Sequence, residues 1–485
     1  MSTPTKLWSL TATEVLSLIR QDQLTVEDYA HALLDRIQSR DSVVKAWQYL
    51  DTAFVLAQAR ALDRVPRDQR GQLHGVAIGI KDNIDTKDMP TEYGSPLRKG
   101  NRPNTDASAV EILRRTGALI LGMFADIAAK VVLNDVVGKT TTTEFAAVNS
   151  GPHTTNPHDP SRTPGGSSTG SAAAVADFQV PLSCGTQTGG SVIRPASYTG
   201  TYAMKPTLNT ISRQGIKIVS HELDTFGYFA RSIEDLKLIT DVFNVTANQP
   251  IKEIPLKSAK VGFVKTPFWP LAGPGTVAAM EKATNILRNH GVMVEEVEFP
   301  NGFDDATALK RMLNVILTID AHASFLNEYQ ADTTKTRLNP KIRAYVEEAS
   351  RISREEVRRA FDCCAAMRPV FDQIAAKYSA LIAPSAADEA PLGLGAMGDN
   401  EFNAVWTVRN TILSFYYDEL TYPVKAAYMP VIHVPALAGH NGMPVGLSLI
   451  TRRFCDQHLL SIAKVLSGPL MSEGSWRKNM VGNQG

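Results

Sequence analysis

Ser191 stands in a run of small residues, GTQTGGSVIRPAS (185–197). Upstream lie a second glycine and serine loop, TPGGSSTGS (163–171), and a lone lysine, Lys81, in HGVAIGIKDNID. A serine hydroxyl attacks poorly until a neighbouring group removes its proton. Lysine can take that proton only when its amine is neutral, and free lysine titrates near 10.4, so a fall to about 7 is needed, worth roughly 4 kcal/mol. Burial among apolar side chains supplies such a fall. Val76, Ile78 and Ile80 alternate with small residues and read as a strand packed on both faces that ends at Lys81. The lysine is thereby delivered, partly desolvated, to a sheet edge. Asp82 follows on extended backbone and points to the opposite face, so it need not pair with Lys81 and hold it charged. A nucleophile, a hydroxyl relay and a base are thus available, although a strand-end lysine is more often solvated and a glycine-serine loop more often a linker.

Gly189 and Gly190 let backbone N–H groups converge with no side chain in the way. Donors at Thr188, Gly189, Gly190 and Ser191 could hold the negative charge of a tetrahedral intermediate, and losing one such donor costs about a hundred- to thousandfold in rate. These segments together resemble the amidase signature family of serine hydrolases, through a GIKDN-like strand end, a GGSS loop and a GTxTGGS nucleophile run. GALILG, KTTTTEFA, LDTFGYFARSIEDL (223–236) and HVPALAGHNGMPVGLSLI (433–450) extend the likeness over roughly residues 7 to 465. The resemblance implies a Ser-Ser-Lys triad: Lys81 as base, Ser167 as the relay serine on a cis peptide, and Ser191 as the acylated nucleophile. It also implies hydrolysis of a carboxamide to carboxylate and ammonia or amine, without metal or cofactor. A second implied role is an amidotransferase subunit of the same fold, working in a complex on charged tRNA. Gln187 stands where many members carry Asp, and Arg194 falls one place later than their usual arginine. A charge-assisted hydrogen bond between the two is therefore expected to brace the nucleophile loop. Thr169, often Gly, is expected to stiffen the relay loop.

Relative to the family pattern, MFADIAAKVVLNDVVG (123–138) and VRNTILSFYYDELTYPVKAA (408–427) are insertions that interrupt core elements. They read as translated introns, an idea that sequencing the mature transcript decides. A rival catalytic reading takes GSSTG (166–170) as the nucleophile elbow of an α/β-hydrolase-type esterase using Ser168. Three prolines in TNPHDPSRTPGG deny it the strand an elbow needs, which leaves Ser168 a supporting hydroxyl. A phosphate cradle is disfavoured because no GK[ST] follows either loop.

The elements around these residues read as an α/β fold, a single large domain over 1–485 with a signature core at about 70–236. A central mixed β-sheet would be covered by α-helices on both faces. Thr11 with Glu14 and Thr25 with Asp28 each fit a capping box. After the second, Tyr29, Ala30, Leu33, Leu34 and Ile37 face the core, with Asp35 and Arg36 toward water. KVGFV (260–264), a helix over 276–289 with Val277, Met280, Ala283, Ile286 and Leu287 inward, and VMVEEVEF form a βαβ unit. The stretch 340–380 reads as a solvated helical layer. With 50 basic and 49 acidic residues the net charge is +1, which offers no basic stripe for nucleic acid and no polybasic membrane patch. The expected partner is a small-molecule amide. Cys184, Cys363, Cys364 and Cys455 lack metal-ligand spacing and read as reduced, and His153 and His158 as loop residues. With no charged n-region before an apolar stretch, a cytoplasmic protein is expected.

Overall fold

The strand expected ahead of Lys81 is Ala77–Ile80 (β1), with all four residues buried. The computed structural model describes residues 6–121, 139–143, 145, 153–247, 250–251, 253–298, 300–394 and 428–476. Both proposed insertions, 123–138 and 408–427, lie outside the described residues. The other sheet strands are Leu119–Ile120 (β2), Leu182–Gln187 (β3), Tyr202–Lys205 (β4), Thr225–Ala230 (β5), Lys260–Val264 (β6), Met293–Val297 (β7), Ala380–Pro384 (β8), Val431–Ala438 (β9) and Pro444–Ile450 (β10). The ten strands form one sheet in the order β2-β1-β3-β5-β4-β9-β10-β8-β6-β7. The sheet is mixed: β1 runs parallel to β2 and β3, whereas β3 and β5 are antiparallel.

Alternation along the strands separates two apolar cores. Ala77, Ala203, Leu381 and Val431 enter one, and their neighbours Ile78, Met204, Ile382 and Ile432 enter the other. The first core is closed by Val26–Val44 (α1), Ala306–Ala331 (α4) and Arg354–Ala375 (α6), through Leu33, Ile316 and Phe371. The second is closed by Pro274–Asn289 (α3) and Asp456–Glu473 (α7), through Leu287 and Leu466. Helices therefore cover both faces, as expected. Between them in sequence lie Ile193–Thr199 (α2) and Pro340–Glu348 (α5).

Local expectations hold with four corrections, the first being the stretch 340–380, which is helical but not a solvated layer: Ile342, Tyr345, Met367 and Phe371 are buried in the first core and Ala380 opens β8. The helix Ala12–Arg20 opens on a full Thr11/Glu14 capping box, but α1 has only half of one. Thr25 accepts the Asp28 N–H, and the Asp28 carboxylate takes the Thr25 hydroxyl at 2.7 Å rather than the cap backbone, because aspartate is a methylene shorter than glutamate. Arg36 does not face water. Its guanidinium reaches the carbonyl and carboxylate of Asp177 at 2.8 and 3.3 Å and lies over Trp8. In the βαβ unit β6 and β7 pair in parallel, and four of the five expected apolar residues of α3 are buried, Val277 being only partly covered. The four cysteines are free.

Candidate active site

Register brings the chemistry together. Ile80 pairs with Cys184, so the end of β1, carrying Lys81, lies beside the end of β3, from which the chain turns through Thr188–Ser191 into α2. Lys81 is fully buried, and its Nζ donates to Ser167 Oγ at 2.8 Å. It also meets Thr186 Oγ1 at 2.9 Å and Thr186 O at 3.4 Å. Desolvation pulls the lysine down to about 7, against the opposing pull of Asp224. Burial exceeds the partial desolvation expected, because strands flank β1 on both sides and the Ser167 loop covers its end. Asp82 does not pair with Lys81, as expected, but it lies on a turn closed by Ile84 N–H to Lys81 O at 3.0 Å rather than on extended backbone. It accepts the N–H groups of Glu92 and Gly94 at 3.0 Å, and burial pushes its carboxyl up to about 6 against the pull of Lys139, not Lys81.

Ser167 is joined to Gly166 by a cis peptide bond. Its carbonyl accepts Thr143 N–H at 3.4 Å, and the Gly166 carbonyl accepts Arg194 Nη2, so the relay loop is held from two sides. The Thr169 hydroxyl ties the same loop to the carbonyl and hydroxyl of Thr141, both at 3.1 Å. Ser191 is 3% exposed, and among the described residues no hydrogen bond joins it to Ser167 or Lys81. The N–H groups of Thr188, Gly189, Gly190 and Ser191 have no protein acceptor among the described residues.

The bond expected between Gln187 and Arg194 does not form. Gln187 Oε1 accepts the N–H groups of Val192 and Ile193 at 2.7 and 2.9 Å, bracing the turn into α2. The open donors of that turn are nearer to the amide than the guanidinium, whose long stem carries it to the relay loop. Ser168 Oγ is fully buried and bonded to Thr186 O at 3.2 Å. No strand immediately precedes it, so an elbow geometry is absent.

Three residues of the site were not anticipated: Asn83, Thr186 and Asp224. Asn83 Nδ2 donates to Thr186 Oγ1 at 2.9 Å. Asn83 lies in the turn that follows Lys81, closed by Ile84 N–H to Lys81 O at 3.0 Å, so strand alternation gave no signal for it. Asp224 had none either, since only the pairing of Gln187 with Thr225 brings it to the strand end. Its carboxylate accepts Val219 N–H at 2.7 Å. Among the described residues there is no cluster of three or more His, Cys, Asp or Glu side chains that could hold a metal ion, and no helix is long and apolar enough to cross a membrane.

A sequence profile for the family described as Amidase matches residues 28–460. The chain belongs to the amidase family. It is an amidase-type enzyme acting on C–N bonds, with the α/β fold of that family. It is 30% identical to a glutamyl-tRNA(Gln) amidotransferase subunit of Chloroflexus aggregans, over 94% of this chain and 96% of that protein. It is 28% identical to a chloroplastic/mitochondrial glutamyl-tRNA(Gln) amidotransferase subunit of Zea mays, over 96% and 92%. Among solved structures it resembles the native peptide amidase of Stenotrophomonas maltophilia, with 25% identity, a TM-score of 0.73, and coverage of 94% of this chain and 96% of that one.

Proposed function

We propose that this chain cleaves a carboxamide through a seryl acyl-enzyme, with Lys81 as base, Ser167 as relay and Ser191 as nucleophile. The observation that carries this is the 2.8 Å contact between a wholly buried lysine, lowered to about 7, and the Ser167 hydroxyl. Neutral Lys81 takes the Ser167 proton as Ser167 takes that of Ser191, and Ser191 Oγ bonds to the amide carbonyl carbon. The carbonyl oxygen becomes an oxyanion facing the N–H groups at 188–191, which have no protein acceptor among the described residues. The relayed proton passes to the leaving nitrogen, the C–N bond breaks, and water activated by the same relay cleaves the ester to a carboxylate.

Two settings suit this chemistry, an amidase working alone and an amidotransferase subunit that releases ammonia to a partner. The two amidotransferase subunits matched over 94% and 96% of the chain favour the second, and the peptide amidase matched over 94% suits the first. Ammonia release from glutamine and from simple primary amides separates the two: a chain that depends on a partner is slow on all of them by itself, whereas an independent amidase turns over at least one rapidly. A fluorophosphonate probe tests the chemistry. Ser191 is expected to be labelled, and labelling of Ser168 instead would overturn the assignment.

A further inference from the structure

We propose that Thr186, braced by Asn83, is a positioning residue that turns the lone pair of Lys81 toward the hydroxyl of Ser167. The inference rests on the serine-lysine reading above. It starts from the valence of a neutral amine, which has two N–H bonds and one lone pair and can act as a base only along the lone pair. Three oxygens surround Lys81 Nζ: Ser167 Oγ at 2.8 Å, Thr186 Oγ1 at 2.9 Å and Thr186 O at 3.4 Å.

Burial alone leaves undecided which of the three oxygens faces the lone pair. Thr186 O is a carbonyl and can only accept, so it draws one N–H. Thr186 Oγ1 takes the Asn83 amide N–H in one of its lone-pair directions, which keeps the other available for the second lysine N–H. With both N–H bonds directed at Thr186, the lone pair is left for Ser167. Without the threonine hydroxyl, an N–H of Lys81 can point at Ser167 Oγ instead, and the amine is then a donor where the reaction needs an acceptor.

The orienting group is itself fixed. Thr186 lies in β3, in register with Phe226 of β5, and its carbonyl also accepts Ser168 Oγ at 3.2 Å. This places Ser168 in the same device. The nearby charge is Asp224, at the head of β5, whereas the Asp82 carboxylate is taken up by the N–H groups of Glu92 and Gly94 at 3.0 Å.

The test is the rate at which a fluorophosphonate labels Ser191 as a function of pH, a readout that needs no knowledge of the natural substrate. Thr186→Val keeps the shape and removes the hydroxyl. It is expected to lower the plateau rate about 10- to 100-fold. It should also move the acid limb to lower pH, because the lysine's ammonium form loses an acceptor. Thr186→Ser is expected to restore both plateau and limb. A purely structural role would lower the plateau and leave the limb in place, and that result overturns the proposal. Asn83→Ala, expected to give a smaller loss with the limb moved in the same direction, carries the comparison if the valine variant does not fold. Failure of Ser191 to label in the unaltered protein would instead sink the triad, and with it this role for Thr186.

Discussion

Replacing Lys81 by methionine is expected to abolish labelling of Ser191 and, at pH 7, to make the protein more stable. An unfolded chain holds the lysine proton up to about 10.5, whereas the folded chain releases it near 7. That difference amounts to about 4 kcal/mol of handicap at pH 7, because folding must discharge the amine or bury it charged. Methionine matches the length of the side chain and removes the handicap. It also leaves the hydroxyls of Ser167 and Thr186 without their lysine partner, at a cost of about 1 to 2 kcal/mol. The net expectation is a gain of about 2 to 3 kcal/mol at pH 7.

The sign of the pH dependence is fixed by the lowered folded value. Between pH 7 and 10.5 the unfolded state binds more protons, so the parent protein gains stability as pH rises, by up to about 1.4 kcal/mol per pH unit. The methionine variant lacks this gain. Its advantage is therefore largest below pH 7, shrinks through the window and reverses before 10.5. Urea unfolding of both proteins at pH 6.5, 8 and 9.5 measures the gap. A variant no more stable than its parent at pH 6.5, or a gap that does not change with pH, refutes the reasoning.

Three further outcomes follow from the same geometry. The rate of amide cleavage, or of Ser191 labelling, should rise with pH through about 7 as Lys81 becomes neutral, and a flat profile from pH 5 to 8 would contradict a lysine base. Gln187→Leu strips the acceptor from two N–H groups at the turn into α2; labelling should slow about 10- to 100-fold as the nucleophile loop loosens, while a change below twofold would deny the brace. Gly446→Ala would place a Cβ 1.9 Å from Nε2 of His433, which is wholly buried, and should cost about 3 kcal/mol or more by thermal unfolding, with Gly468→Ala, which meets nothing within 4 Å, as the mild control.

The candidate residues were legible because each carries a local signature. The alternation around Ile78 and Ile80 announced a buried strand ending in an amine, and the glycines at 189 and 190 announced open backbone donors. Helices with strong periodicity, such as α1 and α3, were legible for the same reason. The misreadings were side-chain destinations. Arg36 and Arg194 have stems long enough to reach any of several carbonyls, and which one they reach depends on chain segments far away in sequence. Asp28 was misjudged by the length of one methylene.

The sequence by itself thus determined the chemical repertoire, an amine, several hydroxyls and unencumbered N–H groups, together with the local conformations that present them. The tertiary structure decided what each group is next to. Thr186 faces Lys81 because parallel pairing of β1 with β3 sets their relative register, and Asp224 reaches the site because antiparallel β5 begins where β3 ends. Desolvation, which lowers Lys81 to about 7, belongs to neither residue nor motif; it arises only when packed strands and the Ser167 loop exclude water from one point.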